Sequence, residues 1–337
     1  MLLKVNREGL EAALASIGAH ADSLPIFAHK AEIIPFKLLG VRTPAANIIK
    51  QEMLAVGGDA VTPVGAVTCA AKYVDILLLG TLKHYKVLLK KLAQMPYFGI
   101  PQAAIDLEMA LTPQKLCTTL ADGRVLTYEK MCVMGILNVT PDSFYEGSRV
   151  PAMEELVERA GRMLAAGADI INDISAMEAD PRMADVVVAT KAPIILMHMR
   201  GTPKNMQQNC EYKDVVQEVA VYLAQRAQLL RERGVSADKI ILDPGIGFAK
   251  NVEQNLLLMR DLKALTSFGY PVLLAASRKS TLGAVLGGVP AEQRLEGTIA
   301  TSLQAIYAGA QMVRVHDVEE NVRAIRTLEA ILRGSAE

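Results

Sequence analysis

The chain has 337 residues, of which 51% are hydrophobic and 21% charged, with 24 glycines and no tryptophan. This composition is typical of a compact α/β protein and excludes a disordered chain, and the length suits two domains or a barrel with an appendage. The 36 basic residues balance 36 acidic residues, so no net field attracts nucleic acid or an anionic membrane surface.

The four cysteines show no spacing typical of a zinc site or a disulfide framework. Acidic residues such as Glu8 and Glu11 interrupt the apolar segments at the N-terminus, and no apolar run reaches the length of a membrane span. We therefore expect a cytoplasmic protein that has no signal peptide and binds neither membrane nor nucleic acid.

The first 125 residues predict a small α/β domain. Strands and helices alternate along it: strand 33–39, a helix from Pro44 that ends at Gly57, strands 61–68 and 74–79, and an amphipathic helix at 82–95. A polar segment at 118–124 then marks a seam. We expect one domain at 1–125 and a second at 126–337.

The second domain alternates buried-type strands with helical patterns, which predicts parallel βα units. Six strands are predicted, at 131–139, 169–174, 193–197, 240–243, 272–276 and 312–315. Polar sequence rich in glycine and proline follows the strands directly, where a TIM-type (β/α) barrel has its binding loops. The predicted fold class is therefore α/β, a TIM-type barrel with a small N-terminal α/β domain.

The first predicted barrel strand ends in Asn138, and the loop after it contains hydroxyl and carboxylate oxygens from Thr140 and Asp142. Pro141 stiffens the turn. Such a loop can coordinate Mg²⁺ and cover a charged ligand, although an Asx turn that closes a strand has the same pattern.

The sequence LMHMRGTPKNMQ at 196–207 brings Met197, an imidazole and two cations to another strand end. Taken singly, Met197 is better explained as a core residue and Arg200 as a solvated cation. Only together with the other strand ends does this segment indicate a site.

Asp243 ends a third apolar strand and is followed at once by Pro244 and Gly245. A carboxylate in this position can accept hydrogen bonds from the N–H edge of a heterocycle, because glycine leaves room for a ligand. A helix N-cap is the alternative explanation for Asp243.

Two further strand ends supply cations. SRKS at 277–280 contains Lys279, and RVHDV at 314–318 places Arg314 and His316 on one face of a strand by the period of two. These groups could clamp a diphosphate. An ion pair with Asp317 is the alternative.

Taken in order, these segments resemble the signature of the dihydropteroate synthase family. The resemblance covers roughly residues 130–330 and includes NVTPDSF at 138–144, IND at 171–173, LMHMRGTPKNMQ at 196–207, LDPGIGF at 242–248, SRKS at 277–280, RLEGT at 294–298 and RVHDV at 314–318. Residues 1–125 resemble an N-terminal extension seen on some members.

The resemblance implies a transferase of folate biosynthesis. Such enzymes join 6-hydroxymethyl-7,8-dihydropterin diphosphate to p-aminobenzoate, forming 7,8-dihydropteroate and releasing diphosphate, with Mg²⁺ as cofactor. By motif, Asn138 would bind Mg²⁺ and diphosphate, and Lys279, Arg314 and His316 would be the catalytic groups. The substrate-binding set that the resemblance implies is Asn138, Thr140, Asn172, Met197, Asp243, Phe248, Lys279, Arg314 and His316.

The sequence also departs from the family pattern. Six strands are predicted where the family barrel has eight, because the helical pattern at 151–166 leads directly into 167–173. The second and third βα units are thus expected to be missing, together with a Gly-Gly-Glu-Ser-Thr-Arg-Pro loop that helps to hold p-aminobenzoate and a Val-Asp-Thr strand end. Ala249 and Ala275 stand where the family usually has glycine.

These departures leave alternatives open. The main one is a non-catalytic or impaired paralogue that binds pterin diphosphate. A methyltetrahydrofolate-dependent methyltransferase, which shares the pterin-binding barrel, and a truncated product that does not fold as a barrel are others. A homodimer is a candidate assembly.

Overall fold

The computed structural model describes residues 10–18, 20, 27, 30–112, 115–136, 169–180, 182–201, 206 and 210–335. The chain divides into two compact units, Met1–Pro113 and Gln114–Glu337. This division lies before the polar segment at 118–124 that marks the seam in the sequence pattern. Each unit has its own hydrophobic core.

The first unit is a three-stranded antiparallel sheet with helices, its strands in the order β1-β3-β2. Its elements are α1 (Leu10–Ser16), β1 (Ile34–Arg42), α2 (Thr43–Ala55), β2 (Asp59–Val61), β3 (Tyr73–Gly80), α3 (Leu82–Leu92) and α4 (Ile100–Leu111). The side chain of Tyr85 is fully buried in the core, and its hydroxyl donates to the carbonyl oxygen of Ile34 at 2.7 Å.

Local sequence explains most of these boundaries. Helix α2 has Pro44 in its first turn, where no backbone N–H is needed, and it ends just before Gly57, as predicted. Thr81 caps α3 and accepts from the backbone N–H of His84. The predicted strand at 61–68 is wrong: β2 ends at Val61, because Pro63 starts a turn in which its carbonyl accepts from Ala66.

The second unit contains a β-hairpin followed by parallel strands and helices. Its strands are β4 (Cys117–Thr119), β5 (Val125–Thr127), β6 (Cys132–Gly135), β7 (Ile171–Asp173), β8 (Ile194–Met197), β9 (Ile240–Asp243), β10 (Leu273–Leu274) and β11 (Met312–Val315). Its helices are α5 (Met183–Thr190), α6 (Val215–Glu232), α7 (Val252–Arg260), α8 (Lys263–Thr266), α9 (Ser280–Val285), α10 (Leu295–Tyr307) and α11 (Val318–Arg333). Strands β8 and β9 are buried along their whole length, which agrees with their uninterrupted apolar sequence.

The six strands β6 to β11 pair in parallel as two sheets, β7-β8-β9 and β10-β11-β6. A parallel bridge between Leu242 and Val272 joins β9 to β10. The strand order is therefore β7-β8-β9-β10-β11-β6, and within the described residues no ladder joins β6 to β7. The two βα units expected to be missing belong at this position, but residues 137–168, which connect β6 to β7, lie outside the described residues.

Side chains of these strands alternate between two apolar clusters. Ile194, Leu196 and Leu242 pack with the helices in the larger cluster, whereas Ile195 and Ile241 belong to a second cluster. The second cluster, which we call the inner layer, comprises Ile195, Ile241, Leu273 and Met312, with Tyr128, Cys132, Met134 and Ile170 packed against it. This alternation is typical of a barrel strand, which has one face toward the helices and one toward the interior.

The hairpin β4–β5 is fixed near the amino end of β9. The Nζ of Lys239, the residue just before β9, donates to the carbonyl oxygens of Thr119 at 2.5 Å and Leu120 at 3.1 Å. The hairpin thus lies at the end of the barrel opposite to the strand-end motifs. None of the helices in the described ranges is long and apolar enough to cross a bilayer.

Candidate functional site

Four of the predicted site residues follow the inner layer along their strands. Asn172, Met197, Asp243 and Arg314 each lie two residues beyond the inner-layer residue of the same strand, namely Ile170, Ile195, Ile241 and Met312. Because side chains alternate along a strand, all four point to the barrel interior near the carboxyl ends of the strands. Met197 and Asp243 are direct neighbours in the β8–β9 ladder.

Asp243 is almost completely buried, with 2% of its surface exposed. Its Oδ1 accepts a hydrogen bond from the backbone N–H of Gly245 at 2.7 Å. Burial raises the pKa of Asp243 to about 6, and the positive charges of Lys279, Lys250 and Arg314 partly oppose that rise. The second carboxylate oxygen of Asp243 is available for a ligand. A buried carboxyl of this kind, with cations nearby, is suited to accept hydrogen bonds from the N–H groups of a heterocycle.

Lys279 and Phe248 form the side of the site next to Asp243. The Lys279 Nζ lies 4.3 Å from the centre of the Phe248 ring, a cation–π distance. Burial lowers the pKa of Lys279, and the charge of Asp243 opposes that change. Gly247 leaves room for the lysine stem, since a Cβ there would lie 3.2 Å from Cδ of Lys279.

Arg314 and His316 lie on the same face of β11 and its extension. The Nε of Arg314 is buried without a hydrogen-bond partner among the described atoms, which leaves it available to an anionic ligand. His316 is held by Ser277, whose Oγ lies 2.9 Å from Nδ1 of His316. Burial lowers the pKa of His316, so the neutral ring accepts from the serine hydroxyl at neutral pH.

Asp317 does not pair with Arg314. Its carboxylate accepts from Nε of Arg278 at 3.1 Å and from a second guanidinium nitrogen of the same residue. This contact holds the pKa of Asp317 below its usual value. The ion pair therefore involves Arg278, and Arg314 is left facing the interior.

A buried lysine links the loops after β8 and β9. Lys250 is 2% exposed, and its Nζ contacts Nδ1 of His198 and the carbonyl oxygens of His198, Gly245 and Phe248. The sequence pattern did not single out Lys250, since a lysine in a glycine-rich loop is usually solvated. Its one sequence signal is its place directly after the GIGFA turn.

Gly245 is required by the close approach of these two loops. Its φ is +68°, and a Cβ at this position would lie 2.0 Å from the carbonyl oxygen of His198. No side chain fits at that distance. The glycine that follows Asp243 thus allows the β9 loop to pack on the β8 loop, and this places Asp243 in the interior.

Comparison with known proteins agrees with this geometry. The family model described as pterin binding enzyme matches residues 134–171 and 162–316. The dihydropteroate synthase of Escherichia coli (strain K12) is 32% identical over 271 residues, which cover 63% of this chain and 95% of that enzyme. The chain belongs to the dihydropteroate synthase family.

Other family members differ in how much of the chain they match. The enzyme of Synechocystis sp. is 44% identical over 176 residues, 52% of this chain and 61% of that enzyme's length. The bifunctional dihydropteroate synthase/dihydropteroate reductase of Helicobacter pylori is 28% identical over 389 residues, which cover 97% of this chain and 98% of that protein.

Solved structures of the family show the same fold. The dihydropteroate synthase of Thermus thermophilus superimposes with a TM-score of 0.57 at 30% identity, over 64% of this chain and 98% of that one. The Xanthomonas albilineans enzyme in complex with 7,8-dihydropteroate gives a TM-score of 0.53 at 32% identity, over 63% of this chain and 97% of that one. The predicted TIM-type fold class is thus confirmed.

The Escherichia coli match also shows a difference in length. Since 63% of 337 residues is about 212, roughly 60 of the 271 aligned positions have no counterpart in this chain. The two segments of the family model overlap on residues 162–171 of this chain.

Ala249, which stands where the family usually has glycine, has an unfavourable backbone conformation. It is fully buried with φ at +52°, a left-handed value that costs an alanine free energy. Tyr212 donates its hydroxyl to the Ala249 carbonyl oxygen at 3.1 Å. The loop thus keeps the conformation that glycine would adopt without strain.

Two predicted site residues, Asn138 and Thr140, lie outside the described residues. Within the described ranges there is no group of three or more His, Cys, Asp or Glu side chains that could hold a metal ion. The described side chains around Asp243 include the cations Lys279 and Arg314. These cations suit an anionic ligand better than a resident metal ion. The binding roles of all the site residues stay predictions.

Proposed function

We propose that this family member condenses 6-hydroxymethyl-7,8-dihydropterin diphosphate with p-aminobenzoate to give 7,8-dihydropteroate and diphosphate. One observation carries the proposal: Asp243, Lys279 and Arg314 are close enough at the carboxyl ends of the barrel strands for their charges to interact. Because the matched part covers 61% of the Synechocystis enzyme, the activity of the whole protein is inferred from this site.

In the proposed complex, the pterin ring lies against Met197 and Phe248. The Asp243 carboxylate accepts from the N–H edge of the ring, and Lys279 donates to a ring acceptor; Asn172 adds an amide at the end of β7. A carboxylate with a raised pKa is still ionised at neutral pH, so it can serve as the acceptor.

The diphosphate lies at Arg314 and His316. The unpartnered Nε of Arg314 supplies a charge-assisted hydrogen bond to a phosphate oxygen. His316, with Nδ1 held by Ser277, donates from Nε2. These donors stabilise the negative charge that grows on the leaving group.

The reaction itself forms one bond and breaks one. The amine nitrogen of p-aminobenzoate attacks the methylene carbon of the pterin, the carbon–oxygen bond to diphosphate breaks, and its electron pair leaves with the diphosphate. The nitrogen then releases a proton to water. Described residues orient the pterin and stabilise the leaving group, and no covalent enzyme intermediate is needed.

Mg²⁺ is part of the proposal only through Asn138, which the family motif assigns to the ion, and through the oxygen atoms of the substrate diphosphate. Bound there, the ion would neutralise charge on the leaving group. We also propose a reducing, cytoplasmic location, which the four free cysteines support, and a homodimer as the assembly.

We further propose that the second and third βα units are absent. Three observations support this. Within the described residues no ladder joins β6 to β7, roughly 60 aligned positions of the Escherichia coli enzyme have no counterpart, and the two family-model segments overlap at 162–171. The loop that helps to hold p-aminobenzoate in the family would be missing. We therefore expect weak binding of p-aminobenzoate, seen as a high KM, with pterin diphosphate binding retained.

A second candidate function is reduction of the product. The full-length match to a Helicobacter pylori protein named as a dihydropteroate synthase and reductase favours it. A hydride and a proton would add to a C=N bond of dihydropteroate, with a reduced nicotinamide or flavin as donor. Oxidation of reduced nicotinamide that depends on dihydropteroate, measured by absorbance with and without added flavin, would support this function. No such oxidation under either condition would dismiss it.

The primary function is tested by steady-state release of diphosphate from the full chain. Release that requires both substrates, and is lost in the Arg314→Met variant, is the expected result. Pterin diphosphate binding by calorimetry without turnover would instead identify a non-catalytic paralogue. Absence of both binding and turnover in folded protein would overturn the assignment of the site.

A further inference from the structure

Lys250 has an unusual environment for a lysine. The side chain is 2% exposed, and within the described residues no carboxylate oxygen accepts a hydrogen bond from it. Its Nζ instead lies 2.8 Å from the carbonyl oxygen of Phe248, 3.1 Å from that of Gly245 and 3.3 Å from that of His198. Burial lowers the pKa of Lys250 to about 7, so the amino group is partly neutral at neutral pH. In either charge state a buried amino group is costly unless its protons are used, and here every acceptor belongs to one of two loops.

The fourth contact fixes the charge state of the neighbouring histidine. The Lys250 Nζ lies 3.0 Å from Nδ1 of His198, and burial lowers the pKa of His198 to about 3. The imidazole is therefore neutral and accepts at Nδ1. His198 in turn donates its backbone N–H to the Asp243 carbonyl oxygen at 3.1 Å, which extends the β8–β9 ladder to the residue that carries the carboxylate.

Asn255 extends this network to the loop that carries Lys279. Its side chain accepts from the Gly247 N–H at 2.8 Å and donates to the Lys250 carbonyl oxygen at 3.2 Å. It also donates to Oγ1 of Thr281 at 3.0 Å, and Thr281 lies on α9, the helix that begins directly after Lys279. The loops after β8, β9 and β10 are thereby joined beneath the site.

We propose that Lys250 is a positioning residue: the hydrogen bonds of its amino group connect the loop after β8 to the loop after β9 and so fix Asp243 and Phe248 for the pterin. The proposal rests on the proposed function. Lys250 acts through the carbonyl groups that it orients and does not touch the substrate. Small displacements of a binding group cost large factors in rate and affinity.

The competing explanation is that Lys250 only stabilises the fold. Lys239 provides a matched control, because it also donates from Nζ to carbonyl oxygens, those of Thr119 and Leu120, and it lies at the other end of β9. Lys250→Met and Lys239→Met each replace an ammonium with an apolar chain of similar length. Both are expected to lower stability, but only Lys250→Met should affect the site.

Hydrogen–deuterium exchange of the full chain tests, without any ligand, whether Lys250 holds the loops after β8 and β9 together. Lys250→Met should raise exchange at least about fivefold in residues 198–201 and 244–249, whereas Lys239→Met should raise it only around the hairpin. Unchanged exchange at 198–201 in folded Lys250→Met would overturn the proposal. This readout does not depend on turnover, so it remains decisive if the proposed function fails.

Binding and kinetics test the consequence for the site. We expect Lys250→Met to weaken pterin diphosphate binding about tenfold or more and to lower kcat/KM, with Lys239→Met within about twofold of wild type. Equal effects of both variants would refute a positioning role, whereas an inactive wild type would refute the function instead.

A second variant covers the case in which Lys250→Met does not fold. In Lys250→Ala, added n-propylammonium should restore pterin diphosphate binding, because it returns an amine hydrogen-bond donor to the vacated space. Equimolar n-propanol should not. Equal rescue by the alcohol would mean that Lys250 only fills volume, and no rescue by either would also contradict the proposal.

Discussion

The ammonium group of Lys279 lies 4.3 Å from the centre of the Phe248 ring. One residue comes from the loop after β10 and the other from the loop after β9, so the contact joins two barrel loops at the site. Burial lowers the pKa of Lys279 while the charge of Asp243 acts against this. A cation that lies on an aromatic face and feels the charge of a nearby carboxyl can direct a hydrogen bond to a bound heterocycle.

Replacing Lys279 with methionine should therefore weaken pterin binding about 30-fold, since a hydrogen bond to a charged group contributes about 2 kcal/mol. Calorimetry with pterin diphosphate measures this change. Lys263→Met on α8, where the lysine is exposed, is the control and should bind normally. Equal affinity in both variants would remove Lys279 from the site.

The affinity for pterin should depend on pH through Asp243. Burial raises the pKa of this carboxyl from 3.8 to about 6, and only the ionised form accepts from the N–H edge of the ring. Affinity for 6-hydroxymethylpterin, which has no diphosphate to titrate, should fall about tenfold per pH unit below pH 6. Fluorescence titration between pH 5 and 7.5 measures it, and Asp243→Asn should bind weakly at every pH.

Ionisation of Asp243 favours pterin binding, but the same pKa shift predicts that ionisation lowers the stability of the folded protein. The folded form holds its proton more tightly than the unfolded form, so the contribution of Asp243 to stability is full below about pH 4 and is lost as the pH rises through 6. Asp243→Asn should remove this part of the pH dependence in urea unfolding. An identical pH profile for both proteins would show that Asp243 titrates normally.

Gly245 and Gly234 form a matched pair for the loop contact. Both have positive φ, +68° and +86°, but a Cβ on Gly245 would lie 2.0 Å from the His198 carbonyl oxygen, whereas one on Gly234 has nothing within 4 Å. We expect Gly245→Ala to cost about 3 kcal/mol or more and to abolish pterin binding, and Gly234→Ala to cost about 1 kcal/mol. Urea unfolding separates the two, and similar losses would refute the close approach.

Ala249→Gly should make the protein more stable. Ala249 has φ at +52°, and relief of this strain gains about 1–2 kcal/mol, partly offset by about 0.4–1 kcal/mol of extra freedom in the unfolded chain. A net gain of about 0.5–1 kcal/mol in the free energy of unfolding is expected. Ala305→Gly, at a fully buried position in the last turn of helix α10, should instead lose about 1 kcal/mol or more.

Strands β8, β9 and β11 were predictable because their apolar runs are buried at nearly every position. Strands β9 and β11 have the bounds that the sequence predicts, 240–243 and 312–315. The predicted strand at 61–68 was wrong, because Pro63 starts a turn. The apolar residues around Pro63 resemble those of a strand, so the pattern did not indicate this turn. Apolar runs predict a strand correctly where the run is buried, and they predict one wrongly where a proline starts a turn.

Strand register predicts the site residues that end a strand, whereas Phe248 and Lys279 lie in loops and are predicted through the family motifs. Asp243 and Arg314 are placed by alternation from Ile241 and Met312, which the sequence shows directly. Lys250 and the Arg278–Asp317 pair were not predictable, because their partners come from other loops. Contacts between loops depend on the relative placement of strands, which no local pattern contains.

The central claim is that the barrel mouth around Asp243 joins a pterin to an arylamine. Isotope-labelled p-aminobenzoate, incubated with pterin diphosphate, Mg²⁺ and the full chain, should appear in 7,8-dihydropteroate by chromatography with mass detection, and Asp243→Asn should form far less of it. Labelled product at the same rate in Asp243→Asn, or none with folded wild-type protein at saturating aminobenzoate, would contradict the account.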